Sequence, residues 1–213
     1  MSKSKRKFSG KARNKHDRKE KPMIIITAEG RNETEAKYFN SFRSASCPYI
    51  IKIHKAGHVT DPTKLAESIR KRWYAEDADS RTGDKAFVIV DIDNNGSKAK
   101  EIQRLEAENS IEEYIVSNPC FEVWYLLHYG FSTRAYINAD AVIRELKKHY
   151  PEYKKTSDMY AVLRDKMHKA IANAEKLEEY YKSEENEHPD ASCNPYTGVH
   201  KLVKMLEGYY KCS

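Results

Sequence analysis

Apolar and polar positions follow two different periods along the first half of the chain, and the switches between them mark out its elements. Met23-Ile-Ile-Ile-Thr-Ala28 is an unbroken apolar run rich in β-branched residues, set between Pro22 and Glu29-Gly30, and it predicts a strand buried on both faces. From Thr34 to Ser44 the positions Ala36, Tyr38, Phe39 and Phe42 keep helical spacing, so a Glu-Gly turn joins that strand to a helix. Tyr49 to His54 reads as a second strand. Asp61-Pro62 sets a favoured capping residue before one preorganised for the first helical position, and Leu65, Ile69 and Trp73 then share a face, which predicts a second helix. Beyond a polar linker, Lys85-Ala-Phe-Val-Ile-Val-Asp91 predicts a third strand that stops abruptly in Asp91-Ile-Asp-Asn-Asn-Gly96. A third helix with Ile102 and Leu105 inward is expected over 97–109. A fourth strand is expected over 110–116, before Ser117-Asn118-Pro119.

This alternation predicts an α/β fold: a mostly parallel four-stranded sheet flanked by helices, with right-handed crossovers. After residue 118 the pattern is helical throughout, over 120–129, 138–150, 157–183 and 196–210. The expected organisation is a basic tail over 1–22, an α/β domain over 23–118, and a helical subdomain over 119–213 packed on the sheet domain.

Composition narrows the class. With 213 residues and 39% hydrophobic content the chain can bury one ordinary core or a core with a helical appendage. No apolar run approaches the ~18 residues of a membrane span, and no hydrophobic segment follows the basic N-terminus. Cys47, Cys120, Cys193 and Cys212 stand apart without metal-ligand or redox spacing. The expectation is a soluble cytoplasmic protein with no membrane partner. Residues 1–22 hold ten Lys and Arg against two acids, so the basic character of the chain, +6 overall, belongs to this tail. With almost no apolar residues the tail is expected to be disordered alone. Lys5, Arg6 and Lys7 are candidate phosphate contacts that read no sequence; a solubilising arm explains them equally.

In open parallel sheets ligands bind at the carboxyl ends of the strands, where Glu29, Asp91 and Asp93 are expected. If strand geometry persists through Ile92, Asp91 and Asp93 face the same side. Crowded carboxylates raise one another's pKa values unless they hold a cation, and hard oxygen ligands select Mg²⁺, with Mn²⁺ as a substitute. The competing reading is a polar turn, since Asp, Asn and Gly dominate turns for conformational reasons. Glu122, just inside the helix after Asn118-Pro119, is a further candidate ligand, and Glu35 an accessory one. Both also suit the first helical turn simply as acids. The aromatic stripe Phe121, Trp124, Tyr125, His128 and Tyr129 either stacks on bases or packs the helix on the sheet, and its spacing favours packing. His128 is better read as a satisfied core histidine than as a base.

These residues resemble the RloB family of bacterial defence proteins. Glu29-Gly30-Arg31-Asn32-Glu33-Thr34-Glu35, with Tyr38-Phe39 after it, is similar to the family's opening Glu-Gly…Thr-Glu…Tyr-Phe signature, with one residue more between Gly30 and Thr34 than the commonest form. Asp91-Ile-Asp-Asn94 resembles its Asp-x-Asp. Ser117-Asn-Pro-Cys-Phe-Glu-Val-Trp124 resembles its most specific block. Tyr153-Lys-Lys155 and Gly198-Val-His-Lys-Leu-Val203 carry the likeness on towards the C-terminus. The resemblance implies a Toprim-like fold in which Glu29, Asp91 and Asp93 bind Mg²⁺. It implies an endonuclease that hydrolyses RNA, tRNA included, or DNA in antiphage defence and abortive infection. Asp91 and Asp93 would ligate the ion, and Glu29 would be a further ligand or the general base. Arg31, Lys154 and Lys155 are candidate nucleic-acid contacts, while Asn118, His200 and Lys201 are accessory candidates. The chain has no Gly-x-x-x-x-Gly-Lys-Ser/Thr motif, so a nucleotide-driven trigger would come from a partner ATPase. The alternative is a non-catalytic regulator that binds nucleic acid or protein, with nucleotidyl transfer a third reading.

Overall fold

Six buried residues in a row form β1 (Met23–Ala28), and the same apolar density returns in β3 (Lys85–Asp91). Such strands belong inside a sheet covered on both sides. The computed structural model describes residues 21–30, 33–44, 46–108, 110–182 and 189–208. In it β2 (Ile50–His54), β1, β3 and β4 (Glu112–Asn118) are parallel neighbours, and β5 (Tyr196–Thr197) closes the order β2-β1-β3-β4-β5 antiparallel to β4. The strand that ends at Asp91 is thus the middle one of five.

Alternating strand residues serve two layers. Met23, Ile25, Ala86, Val88 and Val90 pack against α2 (Pro62–Ala75) through Leu65, Ile69 and Trp73, and against α3 (Gly96–Glu108) through Ala99, Ile102 and Leu105. Asp61 caps α2, accepting from the Lys64 N–H at 2.9 Å, as the Asp-Pro pair predicts. Ile24, Ile26, Phe87 and Ile89 face the other layer. That layer holds α1 (Glu33–Asn40), α4 (Glu122–Leu127), α5 (Ala139–His149), α6 (Met159–Leu163), α7 (Met167–Tyr181) and α8 (Val199–Leu206).

Two expectations for the second half are corrected. The segment from Tyr196 begins as β5 rather than helix, pairing Ser117 with Thr197 and Asn118 with Tyr196, and α8 starts only at Val199. A two-residue strand is too short to leave an alternating pattern, so the sheet gains a fifth member that periodicity does not reveal. The long helix expected over 157–183 is interrupted by a tight turn at Arg164–Lys166 between α6 and α7. No Gly or Pro marks that break, and the buried Leu163 and Met167 keep helical spacing across it.

The aromatic stripe is core. Trp124 Nε1 donates to the Tyr38 hydroxyl at 2.8 Å, and Tyr38 in turn meets Phe39, Phe42, Phe121 and Tyr125 at centroid separations of 5.3–5.8 Å. These edge-on contacts clamp α1 to α4. His128 is fully buried and donates from Nδ1 to the Trp124 carbonyl at 2.9 Å. Burial pushes its pKa down to about 4, so it is a neutral core residue, yet its Nε2 has no partner among the described residues. The expectation of a fully satisfied histidine is only half met. Cys47, Cys120 and Cys193 are buried free thiols. Among the described residues no helix is long and apolar enough to cross a membrane. Lys5, Arg6 and Lys7 lie outside the described residues.

Truncating Phe39, which is fully buried at the α1–α4 clamp, is expected to cost about 3–5 kcal/mol in urea denaturation. Tyr74→Ala, on the 68% exposed face of α2, should cost no more than about 0.5 kcal/mol.

Candidate functional site

The carboxyl ends of β1, β3 and β4 lie side by side, and the chain leaving each carries a candidate residue to the same edge. Glu29 follows β1 directly, its N–H donating to the Ile89 carbonyl of β3 at 3.3 Å. The next residue, Gly30, takes φ +62° and donates to Val59 at 2.7 Å. This left-handed turn, which glycine adopts without strain, swings the chain away from the strand and leaves Glu29 at its end. Asp91 is the last residue of β3, level with Ser117 of β4. Glu122 opens α4, is 2% exposed, and accepts from the Tyr153 hydroxyl at 2.8 Å. Glu35 lies in the first turn of α1.

These acids influence one another. Burial raises the Asp91 carboxyl well above the carboxylate range, and Glu35, Glu29, Glu122 and Asp93 push it further. Burial, then Glu122 and Glu29, brings Glu35 up to about 7, against a weaker pull from Lys155. Glu29 is also raised by burial, in spite of the Lys98 ammonium beside it. Glu29, Glu35, Asp91 and Glu122 therefore share one poorly hydrated edge, and Asp93 stands exposed beside it.

Asp91 and Asp93 do not face the same side by strand alternation. The strand stops at Asp91, Ile92 is buried in the layer under α3, and Asp93 and Asn94 take φ +56° and +58°. Asp and Asn tolerate this left-handed conformation better than other side chains, so the local sequence that ends the strand also turns Asp93 off its line. Asp93 returns to the cluster through Lys98. The Lys98 ammonium lies 2.7 Å from Glu29 Oε2 and 3.4 Å from Asp93 Oδ2. Burial works against this charge, but Glu29, by charge and hydrogen bond, and then Asp93 and Asp91, hold the ammonium above its ordinary pKa. Lys98 is absent from the sequence reading, although one signal was available. It stands in the first turn of α3, which has no acid there, and a cation at a helix N-terminus opposes the helix dipole.

The turn is fastened from behind. Asn118, fully buried, accepts from the Asn94 N–H at 2.9 Å and donates to the Cys193 carbonyl at 2.9 Å. Asn194 donates to Asn94 Oδ1 at 2.6 Å, and Asn95 caps α3 by accepting from the Ser97 and Lys98 N–H groups. Asn118 thus positions the Asp93 turn without reaching into the acidic cluster. The Lys154–Thr156 segment lies on α1, with Thr34 Oγ1 donating to the Lys155 carbonyl at 3.4 Å and Lys37 bonded to the Thr156 carbonyl. Lys154 and Lys155 are both exposed, and Lys155 is near enough to act on Glu35. Arg31 lies outside the described residues.

His200 and Lys201 are not brought to this edge. Both pair with Glu178 of α7, at 3.2 and 2.6 Å, and hold its carboxyl down at about 2. They line a cavity of about 510 Å³ with Tyr49, Lys85 and Glu113, which stand at the amino ends of their strands.

By chemistry the acidic set fits a hard divalent cation: oxygen donors only, largely withdrawn from water apart from Asp93, mutually repelling, and oriented by the fold. In this arrangement the Lys98 ammonium supplies the counter-charge. Among the described residues no group of three or more His, Cys, Asp or Glu side chains is arranged to hold a metal ion. An ion sharing Glu29 would have to displace the Lys98 ammonium that holds it at 2.7 Å.

The raised carboxyls fix the sign of a pH effect. Each binds more protons folded than unfolded, so its contribution favours the fold below the unfolded pKa and is lost as pH rises through the folded one. For Glu35 that window runs from 4.5 to about 7. With chelator present, urea stability is expected to fall between pH 5 and pH 8 by on the order of 1–3 kcal/mol from this group, and Glu35→Gln should flatten the fall. Lys98→Met should lose more stability at pH 8 than at pH 5, because Glu29 is then left buried and charged without a partner.

A family model for RloB-like protein matches residues 24–206. No curated protein and no solved structure matches the chain. The matched stretch covers most of the sequence and includes all five carboxylates and Lys98, and by that match the chain belongs to the RloB-like protein family.

Proposed function

We propose that the carboxyl edge is the active site of a metal-dependent endonuclease, which hydrolyses phosphodiester bonds of RNA or DNA with Mg²⁺ or Mn²⁺. The observation that carries this reading is the convergence of Glu29, Glu35, Asp91, Asp93 and Glu122 on one sheet edge, with the Lys98 ammonium between Glu29 and Asp93. A Glu after the first strand and an Asp-x-Asp after a later, adjacent one is also the Toprim-like arrangement that the sequence resembles. Family membership fits a place in antiphage defence, with a partner ATPase supplying any nucleotide-driven trigger.

Glu29 and Asp91 would hold the ion, with Asp93 at its exposed side and Glu122 steadied from behind by Tyr153. A bound divalent ion supplies Lewis-acid polarisation of phosphoryl oxygens and neutralises their charge. Glu35, held at about 7, is the group matched to accept a proton from attacking water at neutral pH. That role falls to Glu35 better than to Glu29, whose carboxylate is committed to Lys98 and then to the ion. Lys98, which lies against Glu29 and Asp93, would be a cation at hand for the phosphate.

Incubation of the purified chain with labelled tRNA, other RNA and plasmid DNA should show cleavage in Mg²⁺ that chelator abolishes. Asp91→Asn and Glu29→Gln should each lose at least about 100-fold in rate while keeping the wild-type circular dichroism. Glu35→Gln should lose rate and also the pH dependence near 7. Cleavage by Asp91→Asn at the full rate would remove the assignment. A protein that binds nucleic acid but never cuts would instead favour the non-catalytic regulator.

A further inference from the structure

Ile137 is 81% exposed, the most exposed of the large apolar side chains among the described residues. The backbone that carries it is held on every side. Tyr136 donates its N–H to Asn194 Oδ1 at 2.9 Å, its carbonyl accepts from Asn194 Nδ2 at 2.7 Å and Asn94 Nδ2 at 3.2 Å, and the Ile137 carbonyl accepts from Asn94 Nδ2 at 3.2 Å. Asn138 then caps α5, accepting from the Ala141 N–H at 3.0 Å. An apolar side chain of this size, presented to water on a backbone fixed at three successive residues, has no role in the packing of the fold.

Its surroundings are cationic. Ile137 lines a cleft of about 350 Å³ with Arg134, Arg144 and Lys148, against the single acid Glu145. Lys148 is paired with Glu145 at 2.7 Å, while Arg134 and Arg144 are exposed and make no ion pair among the described residues. Guanidinium groups match phosphate oxygens in geometry as well as charge. The cleft is also tied to the acidic edge, because Asn94, which grips the Ile137 carbonyl, is the residue after Asp93. The backbones of Asp93 and Ile137 thus lie within roughly 13 Å, about four base steps at ~3.4 Å per step.

Resting on the nuclease reading, we propose that this cleft is the track along which the substrate strand reaches the acidic edge, with Arg134 and Arg144 on its phosphates and Ile137 wedged between stacked bases. Apolar wedges of this kind unstack a base step and kink the helix they enter. The wedge selects stacked, helical nucleic acid over a relaxed single strand and bends the strand close to the bond that is cut.

The test measures binding apart from cleavage, with the full chain in chelator. The probes are a dye-labelled hairpin and a single strand, each in RNA and DNA, followed by anisotropy from 50 to 200 mM salt, with 2-aminopurine in the hairpin stem reporting unstacking. The basic N-terminal tail is present in every variant, so differences belong to the cleft. Arg134→Gln/Arg144→Gln should bind both probes at least about tenfold more weakly at physiological salt, with the salt slope reduced by about 1.5. Ile137→Ser should bind the single strand like wild type, bind the hairpin several-fold more weakly, and lose the rise in 2-aminopurine fluorescence. Wild-type binding and slope in the double variant would overturn the track. An unchanged 2-aminopurine signal in Ile137→Ser would overturn the wedge, and failure of the wild-type chain to bind any probe would overturn both, leaving the cleft to a protein partner. If the chain binds as expected yet never cuts when Mg²⁺ is restored, the nuclease reading fails and the track stands.

Discussion

Carboxylates that share a dehydrated edge repel one another, and two unit charges 4 Å apart still interact by roughly 4 kcal/mol at the effective dielectric near a protein surface. In this molecule that cost is imposed by the backbone. β1 and β3 are adjacent and parallel, so Glu29 and Asp91 leave the sheet together, and α1 and α4 bring Glu35 and Glu122 to the same place. Two things relieve the repulsion without metal: protons retained on the raised carboxyls, and the Lys98 ammonium between Glu29 and Asp93. On the proposed reading both give way to a divalent cation, which is why a cluster unfavourable to folding is proposed as a site.

The rest of the fold can be understood as the means of keeping those backbones in place. The Tyr38–Trp124 bond and the aromatic contacts around it lock α1 to α4, so Glu35 and Glu122 cannot drift apart. Residues beyond 118 complete the edge, with β5 lying on β4 and the Asn94–Asn118–Asn194 network joining the Asp93 turn to the segment before β5. Buried amide networks of this kind are rigid when each member is satisfied. Asn118 finds partners for both its oxygen and its nitrogen.

Much of this architecture is legible in the residues. The unbroken apolar runs at 23–28 and 85–91 and the Asp61-Pro62 cap correspond to real elements with almost the expected bounds. Glu29 and Asp91 stand at the carboxyl ends of neighbouring strands, where the strand-helix alternation places ligand-binding loops. What the pattern could not carry is of two kinds. Elements too short to show a period, such as β5 and the turn between α6 and α7, leave no trace in periodicity. Partners distant in sequence, such as Lys98 for Glu29 or Tyr153 for Glu122, depend on tertiary placement. The Asp93 turn is an intermediate case: Asp-Asn-Asn-Gly suits a turn, and strand alternation would set Asp93 beside Asp91 only if the strand ran on through Ile92, which the left-handed Asp93 and Asn94 prevent. His200 and Lys201 are accessory candidates on a shared motif alone, with no role to derive from it, and the fold sets them against Glu178.

The most direct measurement is anomalous diffraction from crystals of the full chain soaked in Mn²⁺ near pH 8. The account predicts an anomalous peak within coordination distance of Asp91 and Glu29, with the Lys98 ammonium withdrawn from Glu29. Crystals saturated with Mn²⁺ in which Lys98 still bridges Glu29 and Asp93, and no peak lies among the five carboxylates, would contradict it.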